Sequence, residues 1–323
     1  MAISPGVEAA SPLADVPYLL LHLAGSAGRV GAQEEALLAR WLRRQPCPVL
    51  AIVDADASGP LREACDVVVA DVASLDAVFE NVRRSPLAAM VLVQVLRATE
   101  PMAVEPALVV ESLAFATLQA GPEFRRWLER RRPRADPCGR DPGPAVELER
   151  RGDHLDIRLN RPARRNALSV EMRDELYEAL QLVAADTSID QAEISGNGDC
   201  FSSGGDLDEF GTARDAATAH AIRSLRLPAV MLNECAGRVV FRLHGACIGA
   251  GVEMAAFGKS VRASRDAFFQ LPEIRMGLIP GAGGCVSIPR RIGRQRAAYM
   301  ALSAERIDAP TALAWGLVDA IDD

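Results

Sequence analysis

Residues 239–284 constrain this chain more than any other stretch, because they place two carboxylates in apolar and glycine-rich surroundings. The stretch opens with an apolar run that predicts a strand, and the small residues at 248–251 predict the start of an apolar helix containing Glu253. Glu273 follows twenty positions later and precedes a glycine-rich turn at 279–284. A charged group in such surroundings is costly to desolvate unless it is paired, protonated or used in chemistry. The stretch therefore indicates a functional site.

Two glycine-containing segments, 204–205 and 249–251, leave backbone N–H groups uncovered by side chains. The second segment opens a predicted helix, where unsatisfied N–H groups and the helix dipole favour an anion. Two such groups that converge on one point form an oxyanion hole, which stabilises a thioester carbonyl as it becomes an enolate. Glu253 and Glu273 then supply proton transfer if both face one water molecule.

Each of these features also has a purely structural interpretation. A glycine pair is most often a turn, and Glu273 follows a proline, as residues at a helix start often do. Asp206 is suited to capping a helix, and His244 to ending a strand. Buried unpaired carboxylates are rare, so Glu253 supports the functional interpretation best.

The composition predicts a soluble globular protein. The chain has 323 residues, of which 49% are hydrophobic and 24% charged, enough for one large domain or two ordinary ones. The net charge of −7 provides no basic field of the kind that attracts nucleic acid.

The cysteines and the N-terminus indicate the compartment. Seven scattered cysteines include no pair at metal-binding spacing, which favours reduced thiols and no metal site. The first 15 residues lack the basic segment of a signal peptide, and the apolar run at 18–24 is too short to span a bilayer. We therefore expect a cytoplasmic protein without an export signal.

Residues 1–132 are predicted to form an N-terminal α/β region. Residues 1–16 are small and rich in proline and serine, which predicts a loose segment. Three apolar runs predict strands, at 17–23, 49–53 and 67–69. A helix at 33–44 gives the pattern β-α-β-β, which is typical of an α/β region. Further helices are predicted at 74–97, with Pro86 as a break or a start, at 108–118 and at 123–132.

A cluster of arginines lies in the last of these helices. Its members are Arg125, Arg126, Arg130, Arg131 and Arg132. The cluster is either a phosphate-binding patch or a solvated helix end, and the second is favoured because charge runs usually face water.

The clearest domain boundary is the segment 133–144, which has four prolines and two glycines in twelve residues. We therefore expect the N-terminal region over 1–132, a linker over 133–145 and a second domain over 146–323.

The second domain is predicted to be mixed α/β as well. Strands are predicted at 155–159, 192–195 and 317–321, and a polar helical segment ends near Leu227. Ser169 is a plausible N-cap for a helix with an apolar stripe formed by Met172, Leu176, Leu180 and Val183. Two further helices are predicted at 290–302 and 309–316.

Over about residues 146–323 the chain resembles the crotonase (enoyl-CoA hydratase/isomerase) superfamily. The blocks that carry the resemblance occur in that family's order and spacing, at 165–169, 201–207, 244–253, 272–284 and 314–318. The resemblance implies an α/β fold built as a crotonase-like spiral of β-β-α turns. It also implies an acyl-CoA thioester substrate and a homo-oligomer, either a trimer or a hexamer made of two trimers.

The resemblance implies roles for particular positions. Gly205 and Ala250 match the two oxyanion donors, and alanine should serve in place of the usual glycine because only its N–H is used. Glu253 and Glu273 match the two catalytic glutamates of hydratases. The positions matched to CoA binding are Arg165, Ala167, Leu168, Asp206 and Leu207. The first three of these lie where the family holds the adenine nucleotide end of CoA, largely by main chain.

The presence of both glutamates favours hydration of a trans-2-enoyl-CoA, in which water adds at the β-carbon while the α-carbon gains a proton. The activity of an isomerase or a hydrolase of the same superfamily is an alternative, because such enzymes keep the oxyanion hole and change the acid/base groups. A non-catalytic acyl-CoA-binding subunit is the alternative from another class. We expect no cofactor, because CoA is part of the substrate, and no nucleic-acid or membrane partner.

Two departures from the family pattern lead to a hypothesis. Family members continue past the block at 314–318 with helices that close the acyl pocket, whereas this sequence stops at Asp323. The family also has no standard domain before its first strand. Residues 49–70 resemble degenerate copies of the family's middle strands, and residues 85–132 resemble its terminal helices. The N-terminal region is therefore hypothesised to be a degenerate crotonase-like half that supplies the missing helical layer.

Overall fold

The computed structural model describes residues 10–24, 31–55, 57–131 and 142–322. The predicted linker at 133–145 and the predicted loose segment at 1–16 fall largely outside these residues. The described chain has two main parts, 10–131 and 142–322.

The N-terminal part begins with a sheet of three parallel strands in the order β1-β2-β3. The strands are β1 (Leu19–Leu23), β2 (Val49–Val53) and β3 (Val67–Val69). They are joined by the helices α1 (Ala32–Arg43) and α2 (Pro60–Ala64). The prediction of β-α-β-β was wrong in omitting α2, because a helix of five residues leaves no apolar period to detect.

Four helices follow and are called the helical layer below. They are α3 (Asp76–Arg84), α4 (Pro86–Thr99), α5 (Val104–Gln119) and α6 (Pro122–Arg130). Pro86 starts α4, because proline fits the first helical turn, where its missing N–H is not needed. The carboxylate of Glu123 accepts the amides of Leu87 and Ala88 and so caps the start of α4, although Glu123 lies 36 positions beyond Leu87 in the sequence.

The second part contains nine strands and seven helices within residues 142–322. The strands are β4 (Val146–Arg151), β5 (His154–Leu159), β6 (Gln191–Gly196), β7 (Val239–Leu243), β8 (Ala246–Ile248), β9 (Ser260–Ser264), β10 (Phe268–Gln270), β11 (Ile307–Asp308) and β12 (Ala320–Asp322). The helices are α7 (Val170–Ala185), α8 (Ala216–Arg226), α9 (Pro228–Cys235), α10 (Ala250–Ala255), α11 (Gly284–Ile292), α12 (Arg294–Ser303) and α13 (Ala309–Trp315).

Two sheets organise this part. The larger has six strands in the order β12-β9-β7-β6-β5-β4, with β4 antiparallel to β5 and the other neighbours parallel. The smaller has the order β11-β10-β8. Helix α7 begins as predicted, because Ser169 Oγ accepts the Met172 amide at 3.2 Å. Met172, Leu176, Leu180 and Val183 are buried, as the stripe predicts.

Three sequence predictions need correction here. Strand β4 was missed, because it is an edge strand whose residues are mostly exposed and charged. The helix predicted at 290–302 is two helices, since Gly293 at φ +82° ends α11 and precedes α12. The last strand is β12 rather than 317–321, because Leu317 and Val318 instead fold back to donate to the Ala312 carbonyl.

The helical layer packs against the second part and shares one hydrophobic core with it. This core includes Val82, Leu92 and Phe115 from the layer together with Phe269 and Leu302. Asn81 Nδ2 donates to the Leu302 and Ser303 carbonyls at 2.9 and 2.8 Å.

A buried ionic cluster also joins the two parts. The Asp66 carboxylate accepts Arg97 Nε at 2.8 Å and Arg294 Nη1 at 2.9 Å, and it also accepts the Val49 amide. Asp66 and Arg294 are both buried. The layer and the second part are therefore in contact through polar as well as apolar groups. The predicted division at 133–145 and the origin proposed for residues 49–132 stay predictions.

Candidate active site

Two loops that carry the predicted oxyanion donors lie side by side. The Ser202 amide donates to the Ala246 carbonyl at 3.1 Å, and the Ile248 amide donates to the Ser202 carbonyl at 3.0 Å. Gly204 has φ +89°, and a Cβ at this position would lie 2.8 Å from the Ile248 oxygen. Only glycine fits this approach, so the sequence at 204 allows the two loops to meet.

The backbone amides of Gly205 and Ala250 form the next part of the site. Within the described part of the chain, neither donates a hydrogen bond to a protein acceptor. Both residues line one cavity of about 150 Å³. Two unused amides at one cavity are the components that an oxyanion hole requires.

The same cavity holds both predicted glutamates. Its side-chain walls include Phe115, Leu168, Phe210, Ile222, Arg223, Leu227, Glu253 and Glu273. Phe115 belongs to the helical layer, so residues on both sides of the predicted linker form this cavity. The lining is mainly apolar with a few polar groups, as in small-molecule binding sites.

Glu253 lies in α10 and is buried. Its Oε2 accepts the amides of Ala282 and Gly284 at 2.7 and 2.9 Å. Burial raises the pKa of Glu253 to about 7, although these two amides and the Arg223 guanidinium favour its ionised form. Glu253 is therefore poised between its charged and neutral forms near neutral pH.

Glu273 begins a 3₁₀ turn at Glu273–Met276 and is also buried. Its Oε2 has no hydrogen-bond partner among the described residues. Burial, and then the neighbouring Glu253 carboxylate, raise the pKa of Glu273 well above its usual range. Its Oε1 lies against Gly249, where a Cβ would be only 2.6 Å away. The carboxyl group therefore lies next to the residue that precedes the Ala250 amide.

The segment predicted to hold CoA runs beside the first glycine loop. The Ser203 amide donates to the Arg165 carbonyl at 2.9 Å, and the Leu168 amide donates to the Gly204 carbonyl at 2.7 Å. Asn166 anchors the segment, because its Nδ2 donates to the carbonyls of residues 197, 200 and 201. The left-handed conformation at Arg165 is therefore fixed from within the fold.

The structure separates the predicted site residues into two groups. Gly205, Ala250, Glu253, Glu273 and Leu168 line the cavity. Arg165, Ala167, Asp206 and Leu207 do not line it. Ala167 is buried, whereas Arg165 and Leu207 are exposed on the loop beside it.

Asp206 and His244 have structural partners. The Asp206 carboxylate accepts Arg164 Nη1 at 3.1 Å and the Asp208 amide at 3.0 Å, so it caps the short turn at Leu207–Glu209. His244 Nε2 lies 2.9 Å from the Gly198 carbonyl oxygen, at the end of β7. In the basic cluster of α6 and its end, Arg131 pairs with Asp208.

Sequence reasoning missed three residues near the cavity. Glu111 in α5 is buried, and its carboxylate accepts the amides of Gly283 and Cys285 at 2.7 and 2.8 Å. Burial and the nearby Glu253 raise the pKa of Glu111 to about 8. Phe115 lies one turn further along α5. The signal that drew attention to Glu253, a carboxylate in an apolar helix, is equally present at Glu111.

Arg223 in α8 is the third missed residue. Its guanidinium lies over the Phe115 ring at 3.8 Å from the centroid, which is a cation–π contact. No partner for its Nε is found in the described segments. Burial lowers the pKa of Arg223 to about 10, and the carboxylates of Glu111 and Glu253 oppose that shift.

The described residues contain no cluster of His, Cys, Asp and Glu that could hold a metal ion. None of their helices is both long and apolar enough to cross a bilayer.

A family model described as enoyl-CoA hydratase/isomerase matches residues 151–323. The chain belongs to this family. The expected superfamily is thereby confirmed, and its solved structures confirm the crotonase-like fold. An enoyl-CoA hydratase/isomerase from Marinobacter aquaeolei matches with a TM-score of 0.51 and 31% identity, over 55% of this chain and 70% of that one. An enoyl-CoA hydratase/isomerase from Mycobacterium paratuberculosis matches with a TM-score of 0.52 and 29% identity, and the match covers 56% of this chain and 74% of that one.

Curated enoyl-CoA hydratase/isomerase relatives include both hydratases and isomerases. The 2,3-dehydroadipyl-CoA hydratase of Escherichia coli (strain K12) is 39% identical over 165 residues, which are 50% of this chain and 63% of that protein. The mitochondrial Delta(3,5)-Delta(2,4)-dienoyl-CoA isomerase of Mus musculus is 32% identical over 179 residues, which are 52% of this chain and 55% of that protein. The chain thus spans less than two thirds of the length of either relative.

Proposed function

We propose that this member of the family is an enoyl-CoA hydratase, which adds water across the 2,3 double bond of a trans-2-enoyl-CoA thioester. The observation that supports this most is one small cavity lined by two unused amides and two buried carboxyl groups. Family membership supports an acyl-CoA substrate, and the cavity contains a candidate for each part that hydration needs.

The two amides would bind the thioester oxygen. As water adds to the β-carbon, the π electrons of the double bond move toward this oxygen and form an enolate. The amides of Gly205 and Ala250, which both line the cavity, would stabilise that developing charge. Removal of one such donor from an oxyanion hole typically costs about 10²- to 10³-fold in kcat.

The two glutamates have different surroundings, which suggest different roles. Glu253 is held by two amides that favour its ionised form, so it would take a proton from the attacking water. Glu273 has no partner for Oε2 among the described residues and would stay protonated, so it would deliver its proton to the α-carbon. Proton exchange with solvent or between the two carboxyls then restores the starting state.

The loop beside the cavity would hold the coenzyme. The Arg165–Leu168 segment is fixed against residues 203–206, and Leu168 reaches the cavity wall. We propose that this segment, with Asp206 and Leu207, positions the CoA portion, largely through main-chain groups. No cofactor is needed in this reaction, because CoA enters and leaves as part of the substrate.

A double-bond isomerase is the second candidate, and Glu273 is the observation that favours it. A single buried carboxyl with an unpartnered oxygen could take a proton from one carbon and return it to another. In that case Glu253 would serve only to orient the loop at 282–284.

A turnover assay tests the proposal. The purified protein is given crotonyl-CoA and longer trans-2-enoyl-CoAs, and hydration is followed as the loss of absorbance of the conjugated thioester. We expect hydration, and we expect Glu253→Gln to reduce it by about 10²- to 10⁴-fold while acyl-CoA binding survives. No hydration of any chain length would refute the proposal. Turnover of 3-enoyl-CoAs alone would indicate the isomerase, and binding without turnover a non-catalytic subunit.

We also propose that the protein is a homo-oligomer, a trimer or a hexamer, as its resemblance to the family implies. Light scattering during gel filtration tests this, and a monomeric mass at micromolar concentration would contradict it.

A further inference from the structure

Four consecutive amides at the start of α11 are shared between two carboxylates. Glu253 accepts the amides of Ala282 and Gly284, and Glu111 accepts those of Gly283 and Cys285. The four distances lie between 2.7 and 2.9 Å. The two carboxylates therefore hold alternate peptide groups of the same segment.

This segment sets the orientation of Glu253 by close packing. A Cβ on Gly284 would lie 2.5 Å from Glu253 Cγ, so the backbone at 284 touches the glutamate side chain directly. Any rotation of the peptides at 282–284 would therefore move the Ala282 and Gly284 amides that donate to Glu253, and also the backbone that packs against its side chain. A displacement of about 1 Å at a reacting group can cost on the order of 10²-fold in rate.

Helix α5 fixes the segment from the other side. Besides the two hydrogen bonds of Glu111, its Phe115 ring packs on Gly281, where a Cβ would be 2.2 Å from the ring. Ser112 Oγ lies 2.9 Å from His220 Nδ1, which ties α5 to α8. Glu111 is thus a buried group on a well-anchored helix rather than a mobile surface side chain.

Glu111 also acts on the charge of Glu253. The titratable and charged groups that face it are Glu253 in α10, Glu273 in the 3₁₀ turn, Arg223 in α8 and the Cys285 thiol in α11. The repulsion between two carboxylates is mutual, so each disfavours ionisation of the other. Among the described residues, the Arg223 guanidinium opposes this repulsion.

We infer that Glu111 is a positioning residue for Glu253, contributed by the helical layer: it holds the Gly283 and Cys285 amides and thereby aims the Ala282 and Gly284 amides at the Glu253 carboxylate. The inference about catalysis depends on the proposed function. The inference about the loop does not, since it concerns hydrogen bonds that exist without substrate.

The test compares Glu111→Gln with Glu123→Gln in the full chain. Glu123 is a matched control, because it too is a buried carboxyl of the helical layer that accepts two amides at a helix start, but those amides belong to Leu87 and Ala88 rather than to the 282–285 segment. The first measurement is amide hydrogen exchange by mass spectrometry, on a peptide that covers residues 280–286. We expect E111Q to speed exchange in this peptide at least tenfold, and E123Q to leave it unchanged.

The second measurement is the steady-state kinetics of acyl-CoA turnover across pH. For E111Q we expect kcat to fall about 10- to 100-fold while KM stays within about threefold, since the CoA segment is not touched. The acidic limb of the kcat profile should move to higher pH, because Glu111 is already neutral where Glu253 titrates and the variant loosens the Ala282 and Gly284 amides that favour ionised Glu253. A general loss of stability would not produce that shift, and E123Q should not show it.

The outcomes separate the two proposals. If the wild type turns over no enoyl-CoA, the proposed function fails, and hydrogen exchange still decides whether Glu111 holds the loop. If E111Q leaves exchange at 280–286 unchanged, or if E123Q speeds it equally, the positioning role is wrong. Unchanged kcat and pH profile in E111Q, with an active wild type, would also overturn it.

Discussion

The substitution Glu273→Gln should abolish most of the activity and yet stabilise the protein. Glutamine has the shape of a neutral glutamic acid, and Glu273 Oε2 has no hydrogen-bond partner among the described residues that the change would break. What the variant loses is the proton that the carboxyl would deliver to the α-carbon. Loss of one general acid typically lowers the rate by about 10²- to 10⁴-fold, which corresponds to about 3 to 5 kcal/mol in the barrier.

The expected gain in stability follows from the raised pKa of Glu273. A carboxyl whose folded-state pKa lies above its unfolded value binds its proton more tightly in the folded protein. Its favourable contribution is complete below the unfolded pKa, about 4.3, and is lost as the pH rises toward the folded pKa. Glutamine does not titrate. The variant should therefore gain free energy of unfolding over the wild type as the pH rises from about 5 to 8.

Two measurements on the same variant check this reasoning. Hydration of crotonyl-CoA gives kcat, and urea unfolding at pH 5 and pH 8 gives the free energies of unfolding. Glu123→Gln is the contrasting control, because it replaces one of the two oxygens that accept backbone amides with an NH2 donor and should destabilise the protein. A Glu273→Gln protein that keeps more than a tenth of the wild-type kcat, or that is less stable than the wild type at pH 8, would refute the reasoning.

Four further predictions concern the site and its supports. Asp66→Asn leaves Arg97 and the buried Arg294 without the buried carboxylate that they share and should cost about 3 to 5 kcal/mol in the free energy of unfolding, measured in urea; a loss below about 1 kcal/mol would contradict this. Gly284→Ala drives a Cβ against Glu253 and should cost about 1 to 3 kcal/mol and lower kcat more than KM, whereas unchanged kcat would argue against the tight contact. The kcat of the wild type should rise through a pH of about 7 as Glu253 ionises, and a flat profile from pH 5 to 8 would exclude it as the base. A chain without residues 1–141 should be insoluble or inactive, because it exposes the core that the helical layer covers; a soluble, fully active and oligomeric remainder would defeat the hypothesis for that layer.

Much of the candidate site could be anticipated from the sequence, because its components are local patterns. A carboxylate in an apolar helix at Glu253 and a glycine at 204 that admits a close backbone approach are each visible within a few residues. The helix cap at Ser169 and its stripe are equally local. The roles assigned to Gly205, Ala250 and the glutamates stay predictions, although the structure brings these residues to one cavity.

The features that the sequence did not indicate depend on distant partners or on very short elements. Glu111 is a carboxylate in an apolar helix, as Glu253 is, but Gly283, whose amide it accepts, lies 172 positions away, and no periodicity within α5 specifies that contact. Arg223 has the ordinary appearance of a charged residue in a polar helix, and only the packing of α5 against α8 shows that it lies over Phe115. Helix α2 and strand β8 are too short for a hydrophobic pattern to be measured.

Phe115 and Gly281 illustrate how residues on either side of the predicted linker meet. The Phe115 ring occupies the space that a side chain at 281 would need, so the two positions are matched across 166 positions of sequence. One residue lies before the linker and the other after it, and both line the cavity that contains Glu253. Packing of this kind depends on which surfaces meet and not on their order along the chain. The candidate cavity is therefore formed by residues from both sides of the predicted linker.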